Sequence, residues 1–157
     1  MRVLTLTAAA VFLLDQVTKV IVVHLMDLRS VGAIDVLPPY LNLRMAWNYG
    51  INFGLLSGQD AWVRWLLIAV ALAISLWVVL WMRREKPGRW GLISGGLLVG
   101  GALGNVIDRL LYGAVADFLN MACCGIENPY AFNVADIAIF AGALGLVLFT
   151  GGRSKTP

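Results

Sequence analysis

The chain has 157 residues, 60% of them hydrophobic and only 13% charged, with a formal net charge of +3 and a mean hydropathy of +0.81. Ordinary globular domains carry roughly 25% charged residues, so the composition excludes a conventional water-soluble domain and points to a polytopic membrane protein. The basic residues flank apolar runs instead of forming a patch, which makes them topology signals and implies no nucleic-acid partner.

The first apolar run covers about residues 3–25. Arg2 and Ala8-Ala9-Ala10 give it the look of a signal peptide, but apolar character resumes as VIVVHL at 20–25, so a retained span is expected. Asp15 and Lys19 stand four apart in DQVTK, share a helix face and can pair. Such a pair either neutralises itself or orients groups of a site. His24 falls at headgroup depth, where an amphipathic ring needs no catalytic explanation.

Residues 27–61 are too long for a simple connection. Pro38-Pro39 excludes a helix there, and Leu41, Leu43, Met45 and Trp47 then alternate with Asn42, Arg44, Ala46 and Asn48. A period of two predicts a strand. Gly50 and Gly54 mark turns or close backbone approaches, so a small sheet on the outer membrane surface is expected.

A second span, about 62–82, carries Trp62 and Trp65 at one end and Trp77 and Trp81 at the other, as two aromatic belts would. The linker RREKPGR then turns the chain back into a third span, about 90–112. Gly96, Gly100 and Gly104 repeat every four residues there, a spacing that lets a neighbouring helix approach closely. Asn105 and Arg109 follow on one face with Asp108 beside it, and a break is expected at Gly113. Asp117 comes just past that break, in a stretch read as leading through a loop to Pro129. The fourth span, about 131–150, opens with Asn133 and Asp136 three apart on one face. Cys123 and Cys124 are adjacent, offer no disulfide framework or metal site, and are read as loop thiols without a catalytic role.

The expected fold class is therefore all-α integral membrane: four transmembrane helices with a small β-sheet in the first extracytoplasmic segment, one membrane domain over residues 1–157. Arg2, the linker cations Arg83, Arg84, Lys86 and Arg89, and Arg153 with Lys155 fall on one side, which puts both termini in the cytoplasm.

In that topology Asp117 and Asp136 reach similar depth near the outer edge of the hydrocarbon. Charged groups at a helix centre cost roughly 2.5–3.5 kcal/mol each on insertion scales, so a chain that keeps them is using them. Two carboxylates meeting in low dielectric cannot both ionise, and share a proton as an aspartic protease pair does. Spacing leaves alternatives: Asp117 could cap a loop while Asp136 pairs with Arg109. Asp15, Lys19, Asp108, Arg109 and Asp136 could also form a transporter relay, or serve only to join helices in an assembly subunit. Against a relay, the polar groups cluster in the outer half.

DQVTK at 15–19, NYGINFG at 48–54, GALGNVIDR at 101–109, VADF at 115–118 and FNVAD at 132–136 together resemble the motif set of the bacterial lipoprotein signal peptidases, signal peptidase II. The resemblance implies an inner-membrane aspartic endopeptidase that needs no cofactor or metal. It would remove the signal peptide from prolipoproteins just before a diacylglyceryl-modified cysteine, within the lipid bilayer's outer interface, and would be inhibited by globomycin. It implies Asp117 and Asp136 as the catalytic pair. Asn48 and Gly50 would face substrate; Asn105, Asp108, Arg109, Asn133 and Ala135 would bind substrate or support the aspartates, and Asp15 with Lys19 would brace the site. Two positions depart from the family pattern: Asn52 stands where a small residue is usual, and Ala116 replaces the more usual valine.

Overall fold

The computed structural model describes residues 1–50, 61–123 and 128–150. Asn52, Gly54, Cys124, Arg153 and Lys155 lie outside the described residues. Helix α1 spans Arg2–Lys19 and continues as a π-helical segment, Val20–Leu25. A short helix α2 (Leu28–Val31) leads into strands β1 (Ala33–Leu37) and β2 (Leu41–Asn48). Helices α3 (Ala61–Glu85) and α4 (Arg89–Tyr112) follow, then strand β3 (Val115–Asn120) and helix α5 (Val134–Thr150).

Among the described residues three helices are long and apolar enough to cross a membrane: Arg2–Leu25, Trp62–Glu85 and Arg89–Tyr112. The fourth apolar helix, α5, begins at Val134 rather than 131, and its 17 residues lie at the short end of the ~17–25 that a span uses. Large apolar side chains such as Leu76 and Trp77 on α3 and Phe140, Val147 and Leu148 on α5 are exposed, as expected of faces whose solvent is hydrocarbon.

Helix α4 is the hub, with α1, α3 and α5 all packed on it. Its glycines explain why. A Cβ at Gly96 would meet Leu4 O at 2.7 Å, one at Gly100 would meet Ala8 O at 2.5 Å, and one at Gly104 would meet Asp15 Oδ2 at 2.5 Å. The expected glycine stripe is thus the α1 contact. Gly101 serves the opposite neighbour: its Cβ would lie 2.5 Å from Ala135 O on α5. From α5, Gly142 returns the approach, since a Cβ there would meet Leu98 N of α4 at 2.6 Å. Because backbone cannot yield as a side chain does, Gly101→Ala should push α5 off α4 and cost about 1–3 kcal/mol, as overpacking does. A lowered thermal midpoint in lipid would register it; an unchanged midpoint would show that the two helices adjust freely.

Leu4, Ala8, Val78, Met82, Val99 and Leu146 form an apolar core between the four helices. A second core, Val23, Leu28, Leu43, Ala116 and Phe118, lies where the sheet meets the π-helical segment and α2. The sheet is antiparallel in the order β1-β2-β3. It therefore takes its third strand from beyond α4, outside the segment 27–61 in which the sheet was expected. The stretch after Gly113, for which no element was expected before the loop to Pro129, pairs as Ala46↔Asp117 and Asn48↔Val115, with a register shift between Leu43 and Ala46. Gly113 does end α4, in a left-handed conformation (φ 81°) that suits glycine, its N–H donating to Arg109 O at 3.1 Å. His24 shares a 3.1 Å hydrogen bond with the Tyr112 hydroxyl at this end of the bundle. Cys123 is disulfide-bonded, which corrects its reading as a loop thiol.

Candidate functional site

Up-and-down packing brings the C-terminal ends of α1 and α4, the N-terminal end of α5, and strand β3 to one end of the bundle. Asp15, Lys19, Asn48, Asn105, Asp108, Arg109, Asp117, Asn133 and Asp136 all lie there. Asp117 sits mid-strand in β3 and is almost completely buried. Because Asp117 pairs with Ala46, and Asn48 lies two residues further along β2 on the same face, Asn48 is its diagonal neighbour. Asn48 Nδ2 accordingly donates to Asp117 Oδ2 at 3.1 Å, while Gly50 N–H donates to Asn48 Oδ1 at 3.2 Å and holds that amide in place.

Asp136 occupies the first turn of α5 and is half-buried. Asn133 precedes the helix, and its Oδ1 accepts the Asp136 N–H at 2.9 Å while Asp136 Oδ2 receives the Asn133 N–H at 3.4 Å. This reciprocal pair is a capping box, which satisfies helix donors and places a negative charge at the positive end of the helix dipole. The N-x-x-D spacing carried that signal. With its oxygen committed to the cap, Asn133 turns Nδ2 outward to Asp117 Oδ1 at 2.6 Å. One amide therefore touches both aspartates. Asn105 completes the bridge: its Nδ2 donates to Asp136 Oδ1 at 2.9 Å, and its Oδ1 accepts from Asn133 Nδ2 at 3.3 Å.

Beneath this layer lies a buried ionic cluster. Lys19 Nζ bridges Asp15 Oδ2 at 2.8 Å and Asp108 Oδ2 at 2.7 Å, and reaches Asn105 Oδ1 at 3.5 Å. The other oxygen of Asp15 accepts the Ala135 N–H at 3.0 Å, and Asp108 Oδ2 also accepts the Ala116 N–H at 3.1 Å. Gln16, which the sequence reading passed over, donates from one Nε2 toward Asp15 Oδ2 at 3.1 Å and Asp108 Oδ1 at 3.2 Å. Asp108, placed only beside the functional face by helical spacing, is thus the second partner of Lys19.

Arg109 is buried, and among the described residues no ion pair joins it to Asp136. Its guanidinium donates to Gly50 O at 3.0 Å and Asn105 O at 3.5 Å, and its Nε has no partner there. Burial first, and the negative charge of Asp136 second, push the Asp117 carboxyl from 3.8 up to about 7; hydrogen bonds from Asn48 and Asn133 act in the opposite sense. A buried carboxyl titrating near neutrality beside a second carboxylate can hold a proton and exchange it. No cluster of metal-ligating side chains occurs among the described residues.

Residues 7–150 match the family model described as signal peptidase (SPase) II. A lipoprotein signal peptidase of Methylobacterium sp. (strain 4-46) is 42% identical over 144 residues, 92% of this chain and 86% of that protein. One from Vibrio cholerae serotype O1 is 38% identical over 149 residues, covering 94% of this chain and 85% of that protein. A solved structure described as a bacterial membrane enzyme superposes with a TM-score of 0.81 at 28% identity, over 100% of this chain and 95% of that one. With a family model spanning most of its length, relatives of this similarity and the same membrane fold, the chain belongs to the signal peptidase II family of membrane-embedded aspartic peptidases.

Proposed function

We propose that residues 1–157 form one membrane domain that cleaves the signal peptide from prolipoproteins immediately before a diacylglyceryl-modified cysteine, with Asp117 and Asp136 as the catalytic pair. The observation that carries this reading is the single Asn133 amide that bonds Asp117 and caps the helix bearing Asp136. The pair works as a unit sharing one proton. The ionised carboxylate takes a proton from water as its oxygen attacks the scissile carbonyl carbon, and the protonated carboxyl donates to the carbonyl oxygen. The tetrahedral diol then collapses, the C–N bond breaks, and the leaving amine takes a proton from the pair. Asn48, Asn105 and Asn133 hold the carboxylates in place, and Arg109 with Gly50 lines the approach for substrate. The site faces the extracytoplasmic side of the bacterial inner membrane, with both termini cytoplasmic. There the lipid anchor of the substrate brings its scissile bond to the right depth, and globomycin competes for that place.

The test is incubation of the purified protein, in lipid, with a diacylglyceryl-modified precursor peptide and its unlipidated twin. Product masses should correspond to a cut just before the lipidated cysteine, with the twin left intact and globomycin blocking the reaction. Equal cleavage of both peptides, or a cut elsewhere, would overturn the proposal.

The pH dependence follows from Asp117. Its folded value of about 7 lies above 3.8, so between those values the native state binds more protons than the unfolded one. Stability from this group therefore falls as pH rises through that window. The shared proton leaves above it, so kcat/KM, which reports the substrate-free enzyme, should fall by about tenfold per pH unit on the alkaline side of neutrality. A kcat/KM unchanged from about pH 6 to about 9 would show that this proton is not used.

A further inference from the structure

The two aspartates sit on different elements, β3 and α5, which approach α4 from different directions. Besides the amides that bridge the two carboxylates, a second set of bonds lies one residue upstream of each aspartate. The backbone N–H of Ala116, just before Asp117, is held by Asp108; the backbone N–H of Ala135, just before Asp136, is held by Asp15. Both carboxylates converge on the Lys19 ammonium. Ala116, Ala135, Asp15 and Asp108 are all at or below 1% exposure and Lys19 is at 4%, so no solvent or lipid competes for these bonds.

We infer that Asp15, Lys19 and Asp108 form a positioning clamp for the catalytic pair, with one arm seating Asp117 and the other Asp136, closed through the single ammonium. The deduction rests on the dyad proposed above. It assigns this buried cluster a task beyond neutralising charge in the membrane. Neutralisation needs only one carboxylate for one ammonium, whereas the chain buries two, and each, besides bonding the Gln16 amide, accepts a backbone N–H adjacent to an aspartate. Asn105 ties the clamp to the reacting layer, since it meets Lys19 on one side and Asp136 on the other.

Asparagine at position 15 or 108 separates the two roles. Asp108→Asn leaves Lys19 with one carboxylate, so charge is better balanced than before and the fold should survive. In the clamp, Asp108 Oδ2 accepts from both the ammonium and the Ala116 N–H. An amide is half donor, and a neutral oxygen holds the ammonium less well, so that arm slackens. The same holds for Asp15→Asn and Ala135. Each single variant should lose kcat on the order of 10²-fold, as a displacement of about 1 Å of a reacting group does, with KM and thermal midpoint little changed. Because both arms close through Lys19, the double variant should lose less than the product of the two single losses.

A wild-type kcat in either single variant would overturn the clamp, and so would losses that multiply in the double. If the double variant fails to accumulate, the two single kcat values decide. Asp136→Asn, assayed alongside, separates this outcome from failure of the dyad: an active Asp136→Asn protein would refute the dyad itself, whereas an inactive one beside a fully active Asp108→Asn protein would refute only the clamp.

Discussion

Asp117→Asn and Asp136→Asn proteins are each expected to lose cleavage of a lipidated precursor by on the order of 10⁴-fold or more, because members of one catalytic unit do not retain partial function alone. Neither change should unfold the protein. An amide fills the same volume, and its oxygen can still accept from Asn133 at position 117 or from Asn105 at position 136. Removing one charge also relieves the repulsion between the two carboxylates, which adds to burial in raising the Asp117 carboxyl. Product formation followed by mass spectrometry, with thermal midpoints measured on the same samples, separates lost chemistry from lost fold. A variant that turns over the precursor at near wild-type rate would remove that aspartate from the mechanism.

Lys19→Met is expected to act in the opposite register, on the fold before the chemistry. Methionine keeps the length of the side chain but leaves Asp15 and Asp108, both fully buried, without their cation. Stranding buried charge by deleting its partner costs about 3–5 kcal/mol. That is a large share of the roughly 5–15 kcal/mol by which native proteins are stable, so the variant should accumulate poorly or melt early. Gln16, whose amide bonds the same two carboxylates, cannot replace the ammonium. Near wild-type accumulation and midpoint would mean that one carboxylate takes up a proton at little cost, and that the cluster is less ionic than its distances indicate.

The contrast between these variants traces what could be read from residues alone. Hydropathy and charge placement determine the helical spans, because lipid forces every backbone group into local hydrogen bonds and leaves few options. The alternation from Leu41 to Asn48 determined β2, and the four-residue glycine repeat determined the α1 face of α4. Gly113 as a helix end needed only the backbone freedom of glycine. The motifs from DQVTK to FNVAD pointed to the family before any coordinate.

Tertiary structure decided the rest, because the partners are remote in sequence. VADF at 115–118 is too short to declare itself a strand, and becomes one because β2 offers an unpaired edge at the end of α4. That pairing, not helical spacing, puts Asn48 beside Asp117. Period and spacing relate residues only along one helix. They paired Lys19 with Asp15, but Asp108 lies 89 positions further along the chain and joins them only through the close α1–α4 approach that Gly104 permits. Likewise Asn133 could be read as a neighbour of Asp136, yet its second bond, to Asp117, depends on how α5 docks. Thus Asp117 and Asp136 were recognisable as costly charges from the chain alone. What surrounds them, three amides above and one buried ammonium with its two carboxylates below, exists only once three helices and two strands have converged.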